Sequence, residues 1–340
     1  APLNQKLFGR GQPFHRGRHL GIQNESALRS SGYILYNLEP SSNDSAPSPS
    51  LPEQETMPEL PEVETVCAGL RPALEGRTLK TVIQRRPDLR FSLPAGFVDI
   101  LKGTRVLAVK RRAKYILITL DSRFVLIIHL GMSGRINLYS GTVPPAERHD
   151  HIEFITDDDI TIRYCDPRRF GFMDLVTIEQ VSAHPMLKDL GPEPLSDDFN
   201  ITSLNTKLKG RRMPIKTALL DQKIVAGLGN IYVCESLFRA RISPRRLAHT
   251  IPGVRSKRLI PAIKEVLKDA IAAGGSSLRD YVQTNGKLGY FQHQWDVYGC
   301  EGEQCSAAPL ERGTNLCCPH GVKRIVQSGR STFYCTKWQR

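Results

Sequence analysis

The sequence predicts an α+β protein of several domains: an N-terminal β-sandwich with flanking helices, a helical domain, and a short β-hairpin at the end. Three observations carry this. From about Thr78 to Val176, short stretches rich in β-branched residues recur between Asp or Gly turns, the pattern of a sandwich or barrel. Between Ile201 and Ala273 the apolar residues return to helical spacing. After Gln294 the chain becomes rich in Cys and Gly.

Taken in order, residues 1–56 are dominated by Gln, Asn, Ser, Gly and Pro, and Ser41 to Pro52 reads as a solvated linker without packing potential. Arg10, Arg16, Arg18 and Arg29 faintly suggest an organelle transit peptide, against a mis-assigned start or a plain disordered tail. Order is expected from Met57. Pro61 opens a helix whose Val63, Val66, Cys67, Leu70 and Leu74 form one apolar stripe. Strands are expected at Val106–Val109, Tyr115–Leu120, Phe124–Leu130, Ile152–Ile155 and Ile160–Tyr164, then a Pro-rich join around Pro185 to Asp198. Helices follow at Ile201–Lys209, Ile215–Leu220, Asn230–Ala240 and Val254–Ala273, with a tight turn at Gly227–Asn230. A strand pair, Val322–Gln327 and Ser331–Tyr334, ends the chain. The domains are therefore 1–56, 57–185, a linker at 186–200, 201–293 and 294–340.

Composition narrows the function. Forty per cent apolar residues describe an ordinary water-soluble protein, and no apolar run approaches the ~20 residues of a membrane span. No secretory pattern is present, and five of the eight cysteines fall after position 299, which points to a metal site rather than a disulfide scaffold. A reducing intracellular setting follows. The net charge of +13 is localised: residues 57–200 hold 19 Lys/Arg against 20 Asp/Glu, whereas residues 201–340 hold 23 against 9. A basic C-terminal part suits a polyanion such as DNA or RNA; a merely solvated basic surface is the plain alternative.

Chemistry concentrates at Met57-Pro58-Glu59-Leu60-Pro61-Glu62. Met before a small residue is the setting for removal of an initiator Met. Removal would expose the secondary amine of Pro58, which titrates near pH 8 as α-amines do and is partly nucleophilic at neutral pH. Attack on a sugar C1′ gives an iminium ion, an electron sink that promotes β-elimination, with Glu59 beside it for acid/base work. The plain alternative is proline at a helix start with glutamate favouring the helix dipole.

The segment MPELPEVETV resembles the start of the bacterial formamidopyrimidine-DNA glycosylase family. The likeness continues through RRAKYILI (Arg111–Ile118), HLGMSG (His129–Gly134), HDHIEF (His149–Phe154), DPRRFG (Asp166–Gly171), LGPEPLSDDF (Leu190–Phe199), GLGNIYVCESLF (Gly227–Phe238) and GRSTFYC (Gly329–Cys335). The resemblance implies excision of oxidised purines (8-oxoguanine, formamidopyrimidines) from damaged duplex DNA and strand nicking by β,δ-elimination. It implies Pro58 as Schiff-base nucleophile, Glu59 as acid/base, Lys114 as an aid to base loss and β-elimination, and Arg330 as a phosphate ligand supporting δ-elimination. Met132, Arg168 and Phe170 become the residues that fill the gap left by the flipped nucleotide; on sequence alone Met132 and Phe170 would more often be core. His149, Arg211, Lys223 and Asn230 become phosphate contacts, the last on a helix–two-turn–helix. A monomer in the cytoplasm, associated with the nucleoid, is expected, and the extension leaves organelle targeting open.

The chain departs from the family in two places. The C-terminal zinc-finger-like hairpin has the form C-x2-C-x16-C-x2-C in the family, suited to tetrahedral Zn2+. Here Cys318 and Cys335 keep the sixteen-residue gap, but twelve residues separate Cys305 from Cys318 and the last position is Trp338. A structural Zn2+ would need Cys305, Cys318 and Cys335 plus Cys317 or His320; a metal-free hairpin held by packing is the rival. Secondly, with residues 1–56 attached, the Pro58 nitrogen is a tertiary amide without a nucleophilic lone pair. Two alternatives follow: an endonuclease VIII-like enzyme for oxidised pyrimidines, or a non-catalytic lesion-binding protein if Pro58 is not freed.

Overall fold

The computed structural model describes residues 57–275, 295–306 and 321–340. The extension 1–56 and Cys317, Cys318 and His320 lie outside the described residues. Helix α1 (Leu60–Leu74) opens the fold, and Val63, Val66, Cys67, Leu70 and Leu74 are all at most 1% exposed. Leu60 at its start is equally buried but sits in a different core, that of the helical domain. The helix thus joins the two cores, each buried aliphatic side chain contributing about 1.5–3 kcal/mol of transfer free energy.

Two four-stranded antiparallel sheets follow, with α2 (Phe97–Leu101) between their first strands. In chain order the strands are β1 (Leu79–Gln84), β2 (Val106–Arg112), β3 (Tyr115–Leu120), β4 (Phe124–His129), β5 (Arg135–Tyr139), β6 (Asp150–Thr156), β7 (Thr161–Cys165) and β8 (Phe172–Thr177). One sheet runs β1-β6-β7-β5 and the other β2-β3-β4-β8. They enclose a shared core that includes Leu79, Phe154, Ile162 and Tyr164 from the first sheet and Ile116, Leu120, Ile128 and Met173 from the second. Five of these strands are legible in the sequence; β1, β5 and β8 are not, because their partly exposed patterns dilute the apolar signal.

Between β8 and the Pro-rich join a 3-10 helix spans Ile178–Ala183. Helices α3 (Ile201–Leu208), α4 (Ile215–Leu220), α5 (Asn230–Arg239) and α6 (Val254–Ala272) then pack into one core with Phe199, Leu228 and Ile251. Asn200 caps α3, its side chain accepting from Ser203 N at 3.0 Å. A final hairpin pairs β9 (Val322–Gln327) with β10 (Arg330–Cys335). Its two turn residues, Ser328 (φ 50°) and Gly329 (φ 73°), both have positive φ, as a two-residue hairpin turn of matching twist requires. No helix among the described residues is long and apolar enough to cross a membrane.

Candidate active site

The N-terminus of α1 meets the turn that starts α5. Leu60 N donates to Gly227 O at 3.2 Å, and the Glu59 carboxylate accepts from Ile231 N at 3.0 Å. Glycine is required twice in this turn. Gly227 has φ +85°, and a Cβ there would meet Leu60 Cδ1 at 2.7 Å; a Cβ on Gly229 would lie 2.2 Å from Glu59 Cδ. Pro58 and Glu59 are both buried, and Glu59 N donates to Glu62 Oε2 at 2.9 Å. Glu59 Oε2 is buried with no hydrogen-bond partner among the described residues. Burial pushes the Glu59 carboxyl up to about 7, against the opposing pull of Lys114.

Lys114 sits on the β2–β3 turn, where Ala113 adopts φ 52°. That turn is fastened from outside. Glu193, in the join, accepts from Ala113 N at 2.6 Å, Arg112 at 2.8 Å and Arg111 at 2.6 Å, while Arg111 also pairs with Glu64 of α1 at 2.8 Å. Burial lowers the Lys114 ammonium below its usual range; Glu59 opposes that shift and Arg330 adds to it. Lysine and carboxylate therefore have pKa values pushed toward each other, the condition for proton transfer near neutrality.

A cleft of about 800 Å3 opens over this floor, lined among others by Met57, Lys114, Met132, Arg168, Phe170 and Arg330. Phe170 is 42% exposed, and the Arg168 guanidinium lies 4.8 Å from its ring centroid. His129 lines the same cleft. Its Nδ1 accepts from Gly131 N at 3.0 Å, its ring stacks on Phe172, and burial drives its pKa to about 4, so it is neutral at physiological pH.

Other residues singled out by sequence lie elsewhere. His149 immediately precedes β6, and its carbonyl accepts from Asp166 N at 3.1 Å. Arg211 faces Asp221 at 3.6 Å, and Lys223 pairs with Asp189 at 3.1 Å; neither lines the cleft. Asn230 donates from Nδ2 to Ser331 O at 3.0 Å, so its amide is turned to the hairpin. Cys305 and Cys335 are buried in the helical core. Trp338 packs against that core beneath the Arg241 guanidinium, 3.8 Å from the ring centroid.

Two buried groups escaped the sequence reading. Lys216 is fully buried and donates to Ser331 O at 2.8 Å and Thr332 Oγ1 at 2.7 Å, fastening β10 one residue beyond Arg330. Glu235, pushed up to about 7 by burial, accepts from the backbone N–H groups of Asp296, Val297 and Tyr298 at 2.8–3.1 Å. A single charged residue in an apolar helical run (Ile215-Lys216-Thr217-Ala218-Leu219, and Cys234-Glu235-Ser236-Leu237) was the available signal.

Comparison with known proteins agrees with this geometry. Residues 57–173 match the formamidopyrimidine-DNA glycosylase N-terminal domain, and residues 190–282 match the formamidopyrimidine-DNA glycosylase H2TH domain. A formamidopyrimidine-DNA glycosylase of Rhodospirillum centenum is 55% identical over 297 residues, covering 84% of this chain and all of the relative; one from a Ruegeria species is 53% identical with the same coverage. Among solved structures, the Thermus thermophilus enzyme is 38% identical with a TM-score of 0.71, over 83% of this chain and 98% of its own. The Lactococcus lactis enzyme, in complex with DNA containing an abasic site, is 33% identical with a TM-score of 0.73, over 83% of this chain and all of its own. The chain belongs to the formamidopyrimidine-DNA glycosylase family.

Proposed function

We propose that this protein is a base-excision-repair enzyme that removes oxidised purines from damaged duplex DNA and then nicks the strand as an abasic-site lyase. The observation that carries the reading is the convergence of Glu59, Lys114 and Arg330 on the buried start of α1, beneath a cleft that also presents Met132, Arg168 and Phe170. Pro58, once freed, attacks C1′ of the flipped nucleotide. Glu59 exchanges protons with the sugar, and Lys114 assists loss of the base and β-elimination. Arg330, exposed at the hairpin turn, holds the phosphate that leaves in δ-elimination. Met132 and Phe170 fill the vacated stack while Arg168 reads the orphaned base. His149, Arg211, Lys223 and Asn230 hold flanking phosphates. For the last three this means exchanging Asp221, Asp189 and Ser331 O for a phosphate.

The domain limits 57–185, 201–293 and 294–340 remain our reading of the chain, modified by α1, which serves two cores. Zinc, where bound, is structural. Cys305 and Cys335 supply two buried thiols, and Cys335 Sγ accepts from Trp338 N at 3.4 Å. Cys318 and either Cys317 or His320 would complete the tetrahedron. Trp338 cannot ligate a metal and closes its side of the hairpin by packing.

Borohydride trapping on an oligonucleotide containing 8-oxoguanine tests the enzyme reading, and competition by a thymine-glycol duplex tests the purine preference. A second reading, a non-catalytic lesion binder, is favoured by one observation: with residues 1–57 attached, Met57 acylates the Pro58 nitrogen.

A further inference from the structure

We propose that Asp166 is a positioning residue that locks the loop bearing Met132 and the loop bearing Arg168 and Phe170 into one rigid wedge. This rests on the reading above that these three side chains enter the duplex. Asp166 is completely buried. Its Oδ1 accepts from Ser133 Oγ at 2.6 Å, and Ser133 directly follows Met132. Ser133 Oγ in turn accepts from Arg168 N at 3.1 Å, which carries the link across to the second loop. The other oxygen, Oδ2, accepts from Gly171 N at 2.8 Å and Tyr164 OH at 3.1 Å. Its backbone is held as well: Asp166 O accepts from Arg169 N at 3.2 Å and His151 Nε2 at 2.9 Å.

The glycines around it show how tightly the two loops interlock. A Cβ on Gly131 would lie 2.3 Å from Gly171 N, and one on Gly171 would lie 1.9 Å from Tyr164 OH. Backbone therefore packs on backbone, and neither loop has room to shift without the other. Two carboxylate oxygens face three donors, one serving Ser133 and the other the Tyr164/Gly171 pair. Alanine at this position leaves all three donors without their acceptor. Insertion by Met132 and reading of the opposite base by Arg168 are thereby coupled through a residue that touches neither DNA strand.

The test uses the full chain and binding alone, so it is independent of Pro58. Dissociation constants are measured for duplexes carrying a tetrahydrofuran abasic analogue opposite cytosine or adenine, and for the undamaged duplex. The unsubstituted protein should bind the cytosine-opposed site more tightly than the adenine-opposed one, and equal affinity for the two would overturn the reading of Arg168 on which the proposal rests. Ser133→Ala should cut that preference by about three- to tenfold, the size of one lost hydrogen bond. Asp166→Ala should cut it at least as far, and the double variant with Ser133→Ala no further than Asp166→Ala alone. Affinity for undamaged duplex should move by less than about twofold in Ser133→Ala, because phosphate contacts set it. An unchanged preference in Ser133→Ala overturns the proposal, as does an equal loss on all three duplexes, which would make the network merely structural. An unsubstituted chain that binds neither tetrahydrofuran duplex more tightly than undamaged DNA overturns instead the reading of the site on which the proposal rests.

Discussion

The Glu59 carboxylate lies so close to the backbone of Gly229 that a Cβ at Gly229 would come within 2.2 Å of its carboxyl carbon and 2.6 Å of either oxygen. The helix–turn that starts α5 is thus shaped around Glu59, the proposed acid/base group, and Ile231 N completes the fit. Gly229→Ala should displace Glu59 by a fraction of an ångström or more. Base excision should fall by about 10²-fold, as such misplacements typically cost, while affinity for a tetrahydrofuran duplex stays within a few-fold. Single-turnover kinetics and fluorescence anisotropy measure the two quantities.

The same carboxyl makes stability depend on pH. Its pKa in the folded protein is raised from 4.5 to about 7, so the folded state holds a proton that the unfolded chain has released. The stabilisation is full below about pH 4.5 and is lost as pH rises to about 7. Glu59→Gln removes this loss. The difference in Tm between Glu59→Gln and the parent protein should therefore favour the variant more at pH 8 than at pH 5. The shift corresponds to at most about 3 kcal/mol. A pH-independent difference would contradict it.

Lys216 holds the strand that carries Arg330. Lys216→Met should lower stability by about 1–3 kcal/mol, the cost of leaving Ser331 O and Thr332 Oγ1 short of a buried donor. It should also raise the fraction of β-elimination product left without δ-elimination, since Arg330 loses its anchor. Gel analysis of cleavage products separates the two ends. Unchanged product ratios would leave Lys216 a purely structural residue.

Much of this architecture was legible in the sequence because its signals are local. The stripe of α1, α4 and the final hairpin needed only periodicity and turn chemistry, and the residues proposed as catalytic lie on contiguous motifs. What escaped depends on contacts distant in sequence. β5 and β8 become strands by pairing with β7 and β4. Lys216 gains its role from a hairpin 115 residues away. The ionic clamp of Glu193 on the Lys114 turn likewise joins segments about eighty residues apart. Arg211 and Lys223 show the reverse case: their charge was visible, but not the carboxylates that face them.

Trp338 stands where the family places a fourth cysteine, and its indole packs between Phe238 and Arg241. Trp338→Ala should therefore destabilise the protein by about 1–3 kcal/mol through lost partial burial. A zinc chelator alone should lower Tm by less than this substitution does. A larger effect of the chelator would mean that metal ligation, rather than packing, closes the hairpin.

The central claim is that Pro58 is the nucleophile once its nitrogen is free. The direct measurement is borohydride trapping on an 8-oxoguanine duplex with two forms of the protein, one beginning at Pro58 and one retaining residues 1–57. The first form should give a covalent protein–DNA adduct, mapped by mass spectrometry to Pro58, and the second none through Pro58. Absence of an adduct from the form beginning at Pro58, or an adduct mapped to Lys114, would contradict it.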